Sequence, residues 1–172
     1  APRHDVVQVL GGPAQYWQVW PSRAKTPRRL SGTRRSTPLC LLERLARSQA
    51  EGQLADCDLL TDFQLQVEHA LDLVGREFAV FVDASVSGPE PFAFTLITPE
   101  PVVTYSTHVL TPGAVVRTYA QLAPQVARGP CPTAWLLAIR GYRFELGEAL
   151  SAAAQANLDA SGAFLEAYLR DR

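Results

Sequence analysis

Five consecutive apolar residues, Phe78-Ala-Val-Phe-Val82, run without a polar break into Asp83. A run that does not alternate is the mark of a strand covered on both faces, as happens in a parallel sheet enclosed by helices. This segment is expected to be the central strand. Trp135 to Ile139 is a second fully apolar strand, and Val6 to Leu10, stopped by Gly11-Gly12, reads as a buried first one. Cys57 to Thr61 is a short strand, whereas Phe92 to Ile97 alternates and follows Pro89 and Pro91, which suits an edge.

Helical spacing fills the intervals. Pro38 precedes an apolar stripe at Leu39, Leu41, Leu42 and Leu45 that Gly52 stops, predicting a helix over about 39–50. A short helix is predicted through Val67, Ala70, Leu71 and Val74, closed by Gly75. Another covers Pro112 to Val126 with Thr111 as its cap, and a long Ala-rich helix covers Gly147 to Leu169, weakened at Gly162. Strands alternating with helices in this way predict an α/β fold, a three-layer αβα sandwich with a mostly parallel sheet of about five strands.

The 172 residues fit one domain, 1–172, with a core large enough to fold alone. Its charge is uneven. Residues 1–38 hold seven Lys or Arg against one acid, the remainder nine against sixteen, although the whole chain is at −1. Within 13–38 neither hydrophobic period is present, so this basic, proline-containing stretch reads as a loop. As a nucleic-acid arm, interleaved with Tyr16, Trp17 and Trp20, it lacks a continuing basic face on the acidic body, and no nucleic-acid partner is expected. No apolar run approaches the roughly 20 residues of a membrane span, and the first residues lack signal-peptide order, so a cytoplasmic monomer without membrane contact is expected. Cys40, Cys57 and Cys131 are isolated and read as buried small apolar residues.

In an open parallel sheet, ligands collect at the carboxyl ends of the strands. Asp83 stands at such an end, where a carboxylate is costly to bury unless it is paired, hydrogen-bonded or metal-bound; capping the following turn is the plainer reading. His108, 25 positions on and ahead of the next helix, can face the same sheet edge. A carboxylate with an imidazole suits nickel, zinc or iron without distinguishing them. His4 and His69 read as solvated or packed. The sequence has no Gly-x-Ser-x-Gly elbow, dinucleotide fingerprint, His-Glu-x-x-His helix or phosphate loop, so serine hydrolysis, hydride transfer and nucleotide hydrolysis lose their usual marks.

Four segments together carry a resemblance: Asp62-Phe-Gln-Leu-Gln-Val-Glu-His-Ala-Leu-Asp72, Phe81-Val-Asp83-Ala, Tyr105-Ser-Thr-His108, and Gly141 leading to Glu148-Ala-Leu-Ser151. In order and spacing they resemble the nickel-iron hydrogenase maturation endopeptidases, and among these the branch serving soluble NAD-coupled hydrogenases. The resemblance implies an endopeptidase that removes the C-terminal extension of the hydrogenase large-subunit precursor after nickel insertion. Nickel would come with the precursor and serve as the recognition element. The metal-contacting group maps onto Asp83 and His108, and the substrate cleft onto Asp62, Phe63 and Gln64; no catalytic residue is assigned.

The family's first motif, Gly-Asn followed by an acidic pair, has no counterpart here. Between Asp5 and Glu43 the chain holds neither Asp nor Glu, so the third metal-contacting acid is not assigned. The same fold without it would be a non-catalytic precursor-binding protein. A second account lies in the coding. Lys25 is the only lysine, and with Arg23 to Thr26 on codons ending in G the neighbouring frame reads Gly-Glu-Asp-Ala, as a compensated frameshift across 13–38 requires.

Overall fold

The apolar run ending at Asp83 becomes the middle strand of a five-stranded sheet in a computed structural model, which describes residues 5–10, 37–54, 56–62, 65–99, 110–126, 130–142 and 150–171. The elements in chain order are β1 (Asp5–Leu10), α1 (Thr37–Ala50), β2 (Cys57–Asp62), a 3-10 helix (Val67–Leu73), β3 (Phe78–Ser85), β4 (Phe92–Leu96), α2 (Pro112–Val126), β5 (Thr133–Arg140) and α3 (Ala152–Arg170). Their order across the sheet is β2-β1-β3-β5-β4. β1 runs parallel to β2 and β3, and β3 parallel to β5, while β4 lies antiparallel to β5 at the edge. The fold is the expected α/β arrangement with a mostly parallel sheet.

Successive strand residues point to opposite faces, so a strand covered on both must be apolar throughout. Val7, Leu59, Val80, Val82, Leu137 and Ile139 pack against Leu41, Leu42 and Leu45 of α1 and Leu158, Leu165 and Leu169 of α3. On the opposite face Val6, Ala79, Phe81 and Ala134 meet Val115, Val116 and Tyr119 of α2 and Ala70 and Leu73 of the 3-10 helix. Register and packing therefore give each strand residue a known face.

The helix ends show why the elements stop where they do. Gly52 N–H donates to Gln49 O at 2.9 Å and Gln53 N–H to Ser48 O at 3.0 Å, a Schellman closure that Gly52 permits with φ of 79°. Thr111 Oγ1 caps α2 by accepting from Ala114 N–H at 3.1 Å, as the sequence suggested. Two starts differ from expectation. α1 begins at Thr37, two residues early, with Pro38 in its first turn where a missing N–H costs nothing. α3 begins at Ala152 and not Gly147, because Ser151 takes the cap position and its side chain accepts from Ala154 N–H at 3.2 Å.

Gly162, which looked like a weak point of α3, is a contact surface. A Cβ there would come within 2.8 Å of the far end of the Arg44 side chain, so glycine leaves room for that side chain to lie across α3. Arg44 then reaches Glu166, donating from Nε to Oε1 at 3.0 Å and from Nη2 to Oε2 at 2.7 Å, and Ser48 Oγ adds a bond of 2.7 Å. The Arg44 hydrogen bond, with help from Ser48, holds the Glu166 carboxyl below its ordinary value of 4.5 against the opposing effect of burial. A depressed acid stabilises the fold above its unfolded pKa and loses that contribution as the pH falls through the folded one. Glu166→Gln is therefore expected to lower stability by about 1 kcal/mol at pH 7. Urea unfolding should show the gap to the parent chain closing as the pH falls below 4.5.

Candidate functional site

The sheet's winding reverses at β1. The chain goes from β1 outward to β2 and then crosses back to β3 on the other side, so the connections leaving β1 and β3 diverge. In open α/β sheets such a divergence places ligand sites outside the carboxyl ends of the two strands. β1 ends there at Leu10, β2 at Asp62, and Asp83 lies at the same height on β3.

That height follows from the register. Leu10 pairs with Asp62 on one side, and on the other the β1–β3 pairing ends at Val9 with Val82, one step short of Asp83. Asp83 follows Ala79 and Phe81 on the α2 face, and Asp62 follows Leu60 on that same face. The two carboxylates thus share one face and one level, two strand spacings apart, or roughly 10 Å between backbones. Beside them, Leu110 forms an antiparallel bridge to Leu65, which pins the chain leading into α2 to this corner.

Asp83 differs from the expectation that it follows the strand. β3 continues to Ser85 because β5 extends far enough to pair with it, Asp83 opposite Ala138 and Ser85 opposite Arg140. The carboxylate is half-buried in a stretch supported by β5 but no longer by β1. Burial holds its carboxyl above the ordinary value of 3.8, with only the Ala84 N–H, 2.7 Å from Oδ1, acting the other way. A charge maintained against burial is one that a cation arriving at the crevice would relieve.

Asp62 closes β2 and is engaged by a residue that local sequence assigned to solvent or packing. His69, buried in the 3-10 helix, places Nε2 3.3 Å from Asp62 Oδ2. Its Nδ1 lies 2.8 Å from Gln66 N and 3.2 Å from Gln66 O. Gln66 N–H can only donate, so at that contact Nδ1 accepts. Sequence reasoning missed this pair because Asp62 ends a strand and His69 lies in the following 3-10 helix, so no single period relates them; the one available signal was a histidine flanking the apolar pair Ala70 and Leu73.

Gln8 was also missed. It occupies the middle of β1 between Leu60 and Phe81, is 5% exposed, and its Nε2 has no hydrogen-bond partner among the described residues. An unsatisfied buried amide costs about 1–3 kcal/mol. Gln8→Leu is expected to raise the unfolding free energy by about 1 kcal/mol, measured by urea titration.

His108, Phe63, Gln64 and Tyr105 lie outside the described residues, as does nearly all of the basic stretch 13–38. Among the described residues no three His, Cys, Asp or Glu side chains gather into a metal-binding group. Nor is any helix among them long and apolar enough to cross a membrane.

Fold and crevice together define a doubly wound α/β protein whose candidate site opens at the carboxyl edge of the sheet. Among solved structures, the chain is similar to the [NiFe] hydrogenase maturation protease HycI from Thermococcus kodakarensis KOD1, with a TM-score of 0.56 over 98% of this chain and 93% of that one. At 16% identity the likeness is one of fold. No family model matches the sequence, and no curated protein matches it.

Proposed function

We propose that this chain is a hydrogenase maturation endopeptidase, which removes the C-terminal extension of a nickel-iron hydrogenase large-subunit precursor after nickel insertion. The observation that carries the reading is the placement of Asp83 on the α2 face of the crevice, with Leu110, two residues beyond His108, tied to the same corner through Leu65. The fold shared with the maturation protease HycI supports it, as do the four sequence segments that resemble this family, together with its branch serving soluble NAD-coupled hydrogenases.

In this reading nickel arrives as part of the substrate. Asp83 and His108 contact it, and the contact fixes the precursor so that a nearby peptide bond is presented to water. Asp62, with Phe63 and Gln64, lines the path of the peptide. Specificity follows directly, because a precursor without nickel offers the half-buried Asp83 no cation.

The absence of any acid between Asp5 and Glu43 favours a second reading, in which the chain binds the precursor without cutting it. Most of that interval follows β1, whose last residue, Leu10, lies at the carboxyl edge of the sheet near Asp83. Incubating the purified chain with nickel-loaded and nickel-free precursor separates the readings. Loss of the extension by mass spectrometry, only from the loaded form, supports the endopeptidase; a stable complex of unchanged mass supports the binder. No interaction with either form refutes both. Sequencing the native locus tests the coding account: an uninterrupted frame with synonymous variation across strains rules out a frameshift.

A further inference from the structure

We propose that Arg140, the last residue of β5, is a carboxylate-binding group at the carboxyl edge of the sheet and takes a carboxylate of the hydrogenase large subunit close to its metal-bound part. The inference rests on the maturation reading above and deepens it by naming what holds the substrate on the β5 side.

β5 alternates between the two helical layers. Leu137 and Ile139 pack with α1 and α3, whereas Ala134 and Leu136 belong to the α2 side, so Arg140 follows them onto the face that carries Asp83. Its register partner on β3 is Ser85, two positions beyond Asp83, which itself pairs with Ala138. One strand across and two residues along, the backbones of Asp83 and Arg140 are roughly 8 Å apart. The edge thus carries acids on β2 and β3 and a cation beyond them on β5.

The guanidinium is held in place without being neutralised. Nη1 donates to Gly88 O at 3.3 Å, in the connection from β3 to β4, and Cζ lies 5.4 Å from the centre of the Tyr142 ring. Buried Asn157 of α3 fixes that ring, its Nδ2 donating at 3.1 Å both to Arg140 O and to the Tyr142 hydroxyl. The hydroxyl in turn bonds the Glu90 carboxylate. Arg44 and Arg76 each face a carboxylate, but Arg140 forms no ion pair with Glu90 or any other acid among the described residues. Its Nε–H is buried without an acceptor among them, which costs about 1–3 kcal/mol. The fold by itself gains little from a charge at this position.

Charge and shape decide the ligand class. A guanidinium presents its N–H groups in a planar fork that matches the two oxygens of a carboxylate. A main-chain carbonyl would satisfy one N–H and leave the charge uncompensated, as Gly88 O does; a carboxylate answers both needs. A peptide anchored by its metal near Asp83 and rising about 3.3 Å per residue reaches Arg140 within about two or three residues. Two carboxylates fit that distance: an acidic side chain of the precursor's extension, and the terminal carboxylate that cleavage creates.

Arg140→Met keeps the length of the side chain and removes its charge. Arg76→Met removes the same charge near the opposite edge of the sheet, where Arg76 pairs with Asp58 early in β2. Dissociation constants are measured at low and high salt for both variants and the parent with three nickel-loaded forms of the large subunit: the precursor, a precursor whose extension has Asn and Gln in place of Asp and Glu, and the processed chain. The expected result is about tenfold weaker binding by Arg140→Met at low salt, narrowing at high salt, with parental melting and with Arg76→Met within about twofold of the parent. A difference on the precursor that disappears with the amide extension assigns the ligand to a side chain, and one confined to the processed chain assigns it to the new terminus. Equal affinity of Arg140→Met and the parent for all three forms overturns the proposal. So does a difference on the precursor that survives the amide extension, or an equal loss in Arg76→Met. Failure of the parent to bind any of the three is a different outcome, which removes the maturation reading and this inference with it.

Discussion

Asp83→Asn is expected to lower precursor cleavage at least about 100-fold while making the free protein more stable. The loss follows from the role given to the carboxylate: partners one step removed from a metal already cost roughly 10- to 100-fold when they are removed, so a contacting group costs at least as much. The gain follows from burial. The folded environment holds the Asp83 carboxyl above 3.8 because it disfavours the charge. For an acid raised in this way, stability falls as the pH rises from the unfolded value through the folded one, and the whole penalty is in force above the folded value. Asparagine has nearly the same shape and no charge, so the variant avoids the penalty, and the difference vanishes below about pH 3.8. Urea midpoints at pH 7 and pH 3 read the stability, and mass spectrometry of the nickel-loaded precursor reads the activity. His108→Ala should lose cleavage similarly. Full activity in both variants would remove the pair from the site, and a destabilised Asp83→Asn would show that the carboxylate serves the fold.

The opposed signs explain why one half of this site was legible in the sequence and the other was not. β3 announces itself because burial on both faces leaves no room for polar residues, and Asp83 stands out as the first residue to break that rule. How far β3 continues was not legible. Ser85 belongs to the strand because β5, more than forty residues later, is long enough to pair with it, and no local pattern encodes the length of a distant partner. The start of α3 was misplaced for the opposite reason: a single Ser151 side chain, bonding Ala154 N–H, decides a boundary that the surrounding apolar residues obscure. His69 and Gln8 share another cause. Each is a polar residue among apolar neighbours, and only three-dimensional partners distinguish a histidine that faces Asp62 from an amide whose Nε2 finds no partner among the described residues. The missing first acid is a matter of composition alone, since the interval from Asp5 to Glu43 contains no carboxylate.

Phe78 and Phe81 allow the fold and the site to be tested separately within one strand. Both rings are essentially buried, at 0% and 2%, but three positions of strand place them on opposite faces. Phe78 lies with the α1 and α3 layer and meets Tyr168 at 5.5 Å between ring centroids, whereas Phe81 lies on the α2 face, two residues before Asp83 and level with Gln8. Truncating either ring to alanine removes the same apolar group and leaves a cavity, so each is expected to cost about 3–5 kcal/mol of unfolding free energy. Their effects on precursor should differ. Phe81 supports the crevice from beneath, and a cavity there loosens the strand segment carrying Asp83, a displacement for which about 1 Å can cost on the order of 100-fold in rate. Phe78→Ala leaves that face intact, so at a temperature where both variants are fully folded it should retain near-parental binding and cleavage while Phe81→Ala loses both. Denaturant titrations establish the matched stability loss, and precursor assays on the folded fraction give the comparison. Equal functional losses in the two variants would place the functional surface elsewhere than the α2 face, because general loosening of the strand would then be sufficient to explain them.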